Sequence, residues 1–69
     1  MKKKTLAIIV GGKSPEHEIS IISGFNIYEA TDKNLFDCII IGISKEGQWH
    51  LVPTESFHKD TIIGEDENH

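Results

Sequence analysis

Val10 to Ser20, VGGKSPEHEIS, gathers paired glycines, a lysine, two hydroxyls and three further titratable side chains into one short stretch. The types suggest phosphate binding first. A phosphate loop has the form G-x-x-x-x-G-K-[ST]. Setting Gly12-Lys13-Ser14 at its end puts Ala7 where the first glycine belongs. Pro15 then removes a backbone N–H beside the supposed cradle. The dinucleotide pattern G-x-G-x-x-G fails too, because Lys13 follows Gly12 and no third glycine fits. Glu16 offers different chemistry. A carboxylate at the positive end of a helix is stabilised by the dipole and could grip a cation or an ammonium. The plain reading is a tight strand-to-helix turn with a good cap and a charge that complements the dipole. The local pattern alone favours the plain reading.

The remaining reactive types are scattered. His17, His50, His58 and His69 stand at no recognised zinc spacing, so surface or supporting roles are expected and no metal site. Cys38, in DCIII, suits a small buried hydrophobe, and a single cysteine makes no internal disulfide. Trp49 reads as a strand residue covering a sheet. The net charge of −4 argues against nucleic acid, since phosphate contacts need clustered Lys and Arg. Lys2-Lys3-Lys4 reads as a solvated end.

The elements that must position Glu16 follow from pattern. LAIIV, Leu6 to Val10, is a continuous apolar run between lysines and glycines, as for a strand buried on both faces. Ser14 is a good N-cap, Pro15 suits the first helical position, and Glu16 suits the first turn. Ile21, Phe25 and Tyr28 recur at helical spacing with Ile22 beside them, while Glu18, Asn26 and Glu29 fall on other faces. This predicts an amphipathic helix of about four turns. Gly24 interrupts it at a cost of about 1 kcal/mol against alanine; close packing on the sheet and a tolerated defect are both consistent with it. TDKN is a loop, and LFDCIIIGI a second strand. SKEGQ then turns the chain into WHLV, an antiparallel edge strand ended by Pro53. TESFHKD suits a short helical turn, and TIIGEDENH carries no clear signal. The expected fold is α/β: a βαβ unit with a C-terminal β-hairpin.

Sixty-nine residues allow one small domain. A chain this short buries only about 60% of its unfolded surface. It must pack very well, associate, or belong to something larger. The apolar run near the amino terminus has five residues, against about 7–15 for a secretory core and about 20 for a membrane span. A cytoplasmic protein with no membrane or nucleic-acid partner is expected.

GGKSPEHEISIISGFNIYEATDK followed by FDCIIIGISKEGQWHL resembles the beginning of the D-alanine–D-alanine ligases, with which the D-alanine–D-lactate ligases are grouped. The likeness runs from about Leu6 to Leu51. The string G-G-K-S-x-E-H-E-[IV]-S is specific to that family, and GISKEGQWHL resembles the hairpin of its longer members. The resemblance implies a Rossmann-like N-terminal domain that precedes an ATP-grasp module, with residues 1–69 as part of that first domain and no second domain. It implies an ATP-dependent enzyme, with Mg (or Mn), that joins two D-alanine molecules for peptidoglycan, and hence for cell-wall biogenesis and cell shape. It implies that Glu16 is the catalytic and substrate-binding residue that engages the ammonium of the first D-alanine, and that Ile19 lines the same region. No cofactor-binding or metal residue is expected in this chain. The expected partners are D-alanine, the remaining ligase domains and a second copy in a homodimer.

The family's next motif, H-G-x-x-G-E-D-G, is not matched. Gly64 to Asn68, GEDEN, agrees with its centre alone, Glu67 stands for the final glycine, and His58 lies six residues before Gly64 where four are needed. The chain therefore reads as an N-terminal fragment of a ligase, inactive alone. The alternative is a self-contained small α/β binding or interaction module for a cationic or amino-acid ligand.

The failed phosphate pattern and the negative charge generate one prediction: the 69-residue chain binds no Mg-ATP. Calorimetric titration should give no saturable heat, and a micromolar dissociation constant would contradict it.

Overall fold

In the computed structural model, which describes residues 2–64, the elements run β1 (Lys4–Gly11), α1 (His17–Ala30), β2 (Phe36–Ile43), β3 (Trp49–Val52) and a 3-10 turn (Thr54–Ser56). The strands form one sheet in the order β1-β2-β3. β1 and β2 are parallel, in register from Lys4↔Phe36 to Gly11↔Ile43. β3 returns antiparallel, from Ile40↔Val52 to Ile43↔Trp49. This is the expected βαβ unit with its hairpin. The hairpin turn closes through Ser44 N–H to Gln48 O, 2.8 Å, and Gly47 N–H to Ser44 O, 2.9 Å. No helix among the described residues is long and apolar enough to cross a membrane.

The core lies on one face of the sheet. Ile8, Val10 and Ile40 point up from the strands, Ile21 comes down from α1, and Phe57 and Ile63 come from the chain after β3. All six are buried. Each such side chain contributes about 1.5–3 kcal/mol relative to exposure. Phe57 meets Phe25 edge-on at 5.6 Å and Tyr28 at 6.0 Å, so the tail fastens on α1 as well as on the sheet. Phe25, Tyr28, Cys38 and Val52 pack around this centre, half-buried. α1 ends where Thr31 Oγ1 donates to Ile27 O, 2.7 Å. The Lys33 ammonium meets the Tyr28 carbonyl beyond it, which suits the negative end of the helix.

Several expectations are corrected. β1 is buried on one face rather than two: Ile9 is 53% exposed. Side chains alternate across a strand, and in the observed register Ile9, Ile41 and Leu51 share the face away from α1. Nothing among the described residues covers that face. Trp49 lies on it too, 63% exposed, in β3 as expected of a strand residue. Ile22 is not with the core stripe but 43% exposed. The isoleucine pair after His58 splits: Ile62 is exposed, and Ile63, where no signal was read, enters the core. α1 starts at His17 and not at Pro15. Ser14 Oγ accepts from Glu16 N–H at 3.0 Å, and His17 N–H reaches Ser14 O at 3.1 Å. Ser14 to His17 thus form a separate turn, and the first helical bond runs from Ser20 N–H to Glu16 O, 2.8 Å.

Gly24 is resolved as a packing device. A Cβ there would lie 2.2 Å from Val10 Cγ1 and 3.3 Å from Ile8 Cγ2. Both neighbours are buried and β-branched, so they have little freedom to move. Glycine brings α1 down onto β1. Overpacking typically costs about 1–3 kcal/mol, against about 1 kcal/mol of helix propensity gained.

Two predictions follow from this packing. Gly24→Ala should lower stability in urea melts by roughly 1–2 kcal/mol, whereas Asn26→Ala, on the exposed side of α1, should not; an unchanged midpoint for Gly24→Ala contradicts the close approach. The uncovered apolar face and the open edge of β1 should make the 69-residue chain associate. Light scattering should give a mass that rises with concentration, and a strictly monomeric, cooperatively melting chain contradicts it.

Candidate functional site

The strand-to-helix connection is built on two glycines in the left-handed region, Gly11 at φ +91° and Gly12 at φ +106°. A side chain on Gly11 would meet Ile43 O at 2.3 Å. Only glycine lets the end of β1 pass so close to the end of β2. Gly12 N–H donates to Ile43 O at 2.7 Å. Gly11 N–H donates to Ser20 Oγ at 2.6 Å. The Ser20 hydroxyl lies 3.0 Å from His17 O and 3.3 Å from Gly11 O. The ring of His17 is buried, with Nδ1 2.6 Å from Gly12 O. A carbonyl oxygen accepts and never donates, so Nδ1 carries the proton.

These bonds explain why the glycine loop does not fit a nucleotide. The N–H groups of Gly11, Gly12, Glu16 and His17 all donate within the chain. A phosphate cradle needs such groups free. Among the described residues there is also no group of three or more His, Cys, Asp or Glu side chains able to hold a metal ion.

Glu16 is the N-cap residue of α1, yet its side chain makes no capping bond. Its carboxylate is exposed at the carboxyl end of β1 and heads a groove of about 560 Å³ between α1 and the open edge of β1. Ile19, Ser23 and Ile27 continue down the helix side of the groove, and Leu6 to Ile9 form the strand side. The spacing 16, 19, 23, 27 is one helical stripe. Both residues singled out by sequence, Glu16 and Ile19, therefore meet in one place. A larger hollow of about 740 Å³, against β3 and the tail, includes neither of them.

Glu18 points away, as its place about 200° round the helix from Glu16 requires. Its carboxylate pairs with Lys45 of the hairpin turn at 2.9 Å. The hydrogen bond from Lys45 holds the Glu18 carboxyl below the usual carboxylate range. The Lys13 stem also lies against Gly47, so the hairpin turn touches the glycine loop. His50 and His58 are exposed, and the ring of His58 sits 5.9 Å from that of Phe25. The partial GEDEN match, after Gly64, and His69 lie outside the described residues. Sequence reasoning missed the buried His17 and the Ser20 latch. For His17 the signal was spacing: 17, 21 and 24 fall on the sheet-facing stripe of α1.

The comparisons with known proteins agree with this geometry. A family model described as D-ala D-ala ligase N-terminus matches residues 5–69. The D-alanine–D-alanine ligase of Shouchella clausii (strain KSM-K16) is 54% identical over 83% of this chain, and D-alanine–D-alanine ligase A of Escherichia coli (strain K12) is 46% identical over 83%. The chain spans 16% of the length of each. Among solved structures, the crystal structure of the VanG D-Ala:D-Ser ligase from Enterococcus faecalis matches with a TM-score of 0.73 at 36% identity, over 81% of this chain and 17% of that one. With nearly its whole length matched and the strand–turn–helix of Glu16 inside the matched span, this chain belongs to the D-alanine–D-alanine ligase N-terminus family.

Proposed function

We propose that this chain is the N-terminal part of an ATP-dependent ligase that joins two D-alanine molecules, and that it contributes the site of the first. The observation that carries the reading is that Glu16 and Ile19 line one groove, which runs along the open edge of β1 beside α1 with Glu16 at the helix N-terminus. Ligands of open α/β sheets bind at the carboxyl ends of strands, beside helix N-termini. The ammonium of D-alanine donates to the Glu16 carboxylate, which no helix N–H occupies. Ile19 supplies an apolar wall next to it. The joining chemistry, with ATP and magnesium or manganese, belongs to the remaining domains, so these 69 residues alone are inactive. In this reading the ligase works in the cytoplasm as a homodimer, and its dipeptide enters peptidoglycan.

The test is Glu16→Gln in the whole ligase. Glutamine keeps the size and removes the charge. A hydrogen bond to a charged group is worth about 1.5–3 kcal/mol, roughly 10- to 150-fold at 1.4 kcal/mol per decade. The loss should fall on the KM for the first D-alanine, with the KM for ATP little changed. Glu18→Gln, which touches Lys45 instead, should leave both constants near the parent's. An unchanged KM and turnover for Glu16→Gln would reduce Glu16 to a helix-end charge.

A further inference from the structure

We propose that His17 is a positioning residue for the first D-alanine site, acting through the Gly12 carbonyl to aim Glu16. The proposal rests on the reading of Glu16 given above. Next to an exposed carboxylate, the structure places an imidazole that is 4% exposed and engages one backbone carbonyl, at 2.6 Å. Gly12 is held from two sides. Its N–H is fixed on Ile43 at the end of β2, and its C=O is fixed on the His17 ring. Nothing lies within 4 Å of where a Cβ on Gly12 would be. No side-chain contact on that side of the residue adds to these two bonds, and glycine has the widest backbone freedom. The ring's hydrogen bond is the restraint on the carbonyl side, as the bond to Ile43 is on the N–H side.

The consequence for Glu16 is geometric. Successive residues of a helix are turned by about 100°. Holding His17 inward, against the Gly11–Gly12 backbone, turns its neighbour Glu16 outward to the head of the groove. Ser14, which accepts the Glu16 N–H, is two residues beyond Gly12, so its place depends on how the peptide after Gly12 is oriented. Losing the ring donor would leave Gly12 O unpaired beside a buried side chain, and the turn would relax to satisfy it.

Three substitutions in the whole ligase separate positioning from mere filling of space. His17→Leu keeps a side chain of similar size in the buried position and removes the donor. His17→Asn places an amide N–H where Nδ1–H was. His17→Gln carries its amide N–H further out, towards the position of Nε2. The KM for the first D-alanine should rise about tenfold in His17→Leu, with kcat and the KM for ATP within about twofold. His17→Asn should restore the parent value to within about threefold on the same scale, and His17→Gln should behave like His17→Leu. Amide hydrogen exchange over residues 12–16 should speed up in His17→Leu and return to the parent rate in His17→Asn, a readout that needs no turnover. The proposal is overturned if His17→Leu leaves the first-site KM unchanged while Glu16→Gln raises it. It is equally overturned if exchange over 12–16 does not change, or if His17→Asn fails to rescue. If Glu16→Gln is itself silent, the reading of Glu16 fails first, and the role of His17 falls with it.

Discussion

The structure depends on one close approach, that of Gly11 and Gly12 to the carbonyl of Ile43. There the ends of the two parallel strands and the start of α1 meet within a few residues. Gly11 has no room for a Cβ against Ile43 O. Gly12 N–H closes on the same carbonyl. Ser20 and His17, both from the first turn of α1, take the next two polar groups of the loop, Gly11 N–H and Gly12 O. A buried backbone group left unpaired is costly, and this arrangement leaves no buried side-chain nitrogen or oxygen without a partner among the described residues. The outcome is a turn with the outline of a phosphate loop whose Gly11, Gly12, Glu16 and His17 N–H groups are spent internally. What it presents outward is the carboxylate of Glu16.

The rest of the fold serves that turn from both sides. Gly24 lets α1 lie directly on Val10 and Ile8, which fixes the helix about two turns beyond Glu16 and sets the width of the groove on the β1 side. On the other side, the hairpin turn reaches back to Glu18 through Lys45 and to Lys13 through Gly47. The tail closes the core with Phe57 and Ile63. The opposite sheet face, with Ile9, Ile41, Leu51 and Trp49, is apolar and has no layer over it among the described residues. A sheet hydrophobic on both faces is built to be covered on both, which fits a chain that matches about one sixth of its relatives' length.

Much of this was legible in the residues. The apolar runs around Ile8 and Ile40, the Ile21–Phe25–Tyr28 spacing and the SKEGQ turn lead directly to βαβ plus hairpin. Glu16 and Ile19 were marked by resemblance, and their helical spacing of three residues puts them on one stripe. Other features depend on tertiary context. Periodicity cannot show that Ile9 faces outward, because a continuous apolar run looks the same whether one face or two are covered. Ile62 and Ile63 are identical in type, and only the bare surface of Gly42, onto which Ile63 folds, tells them apart. Ser14 does not cap α1: its bond to Glu16 N–H closes a separate turn, and α1 starts only at His17 with Glu16 as its N-cap. A histidine between two glutamates reads as surface; its burial follows from the phase of α1 on the sheet.

The central claim is that this turn aims a carboxylate at the ammonium of an amino acid. The most direct measurement is a crystal structure of the whole ligase with D-alanine bound at its first site. The account predicts the substrate nitrogen at about 2.7–2.9 Å from a carboxylate oxygen of Glu16, with Ile19 against the substrate. A D-alanine whose ammonium is held by other groups while Glu16 faces solvent would contradict it.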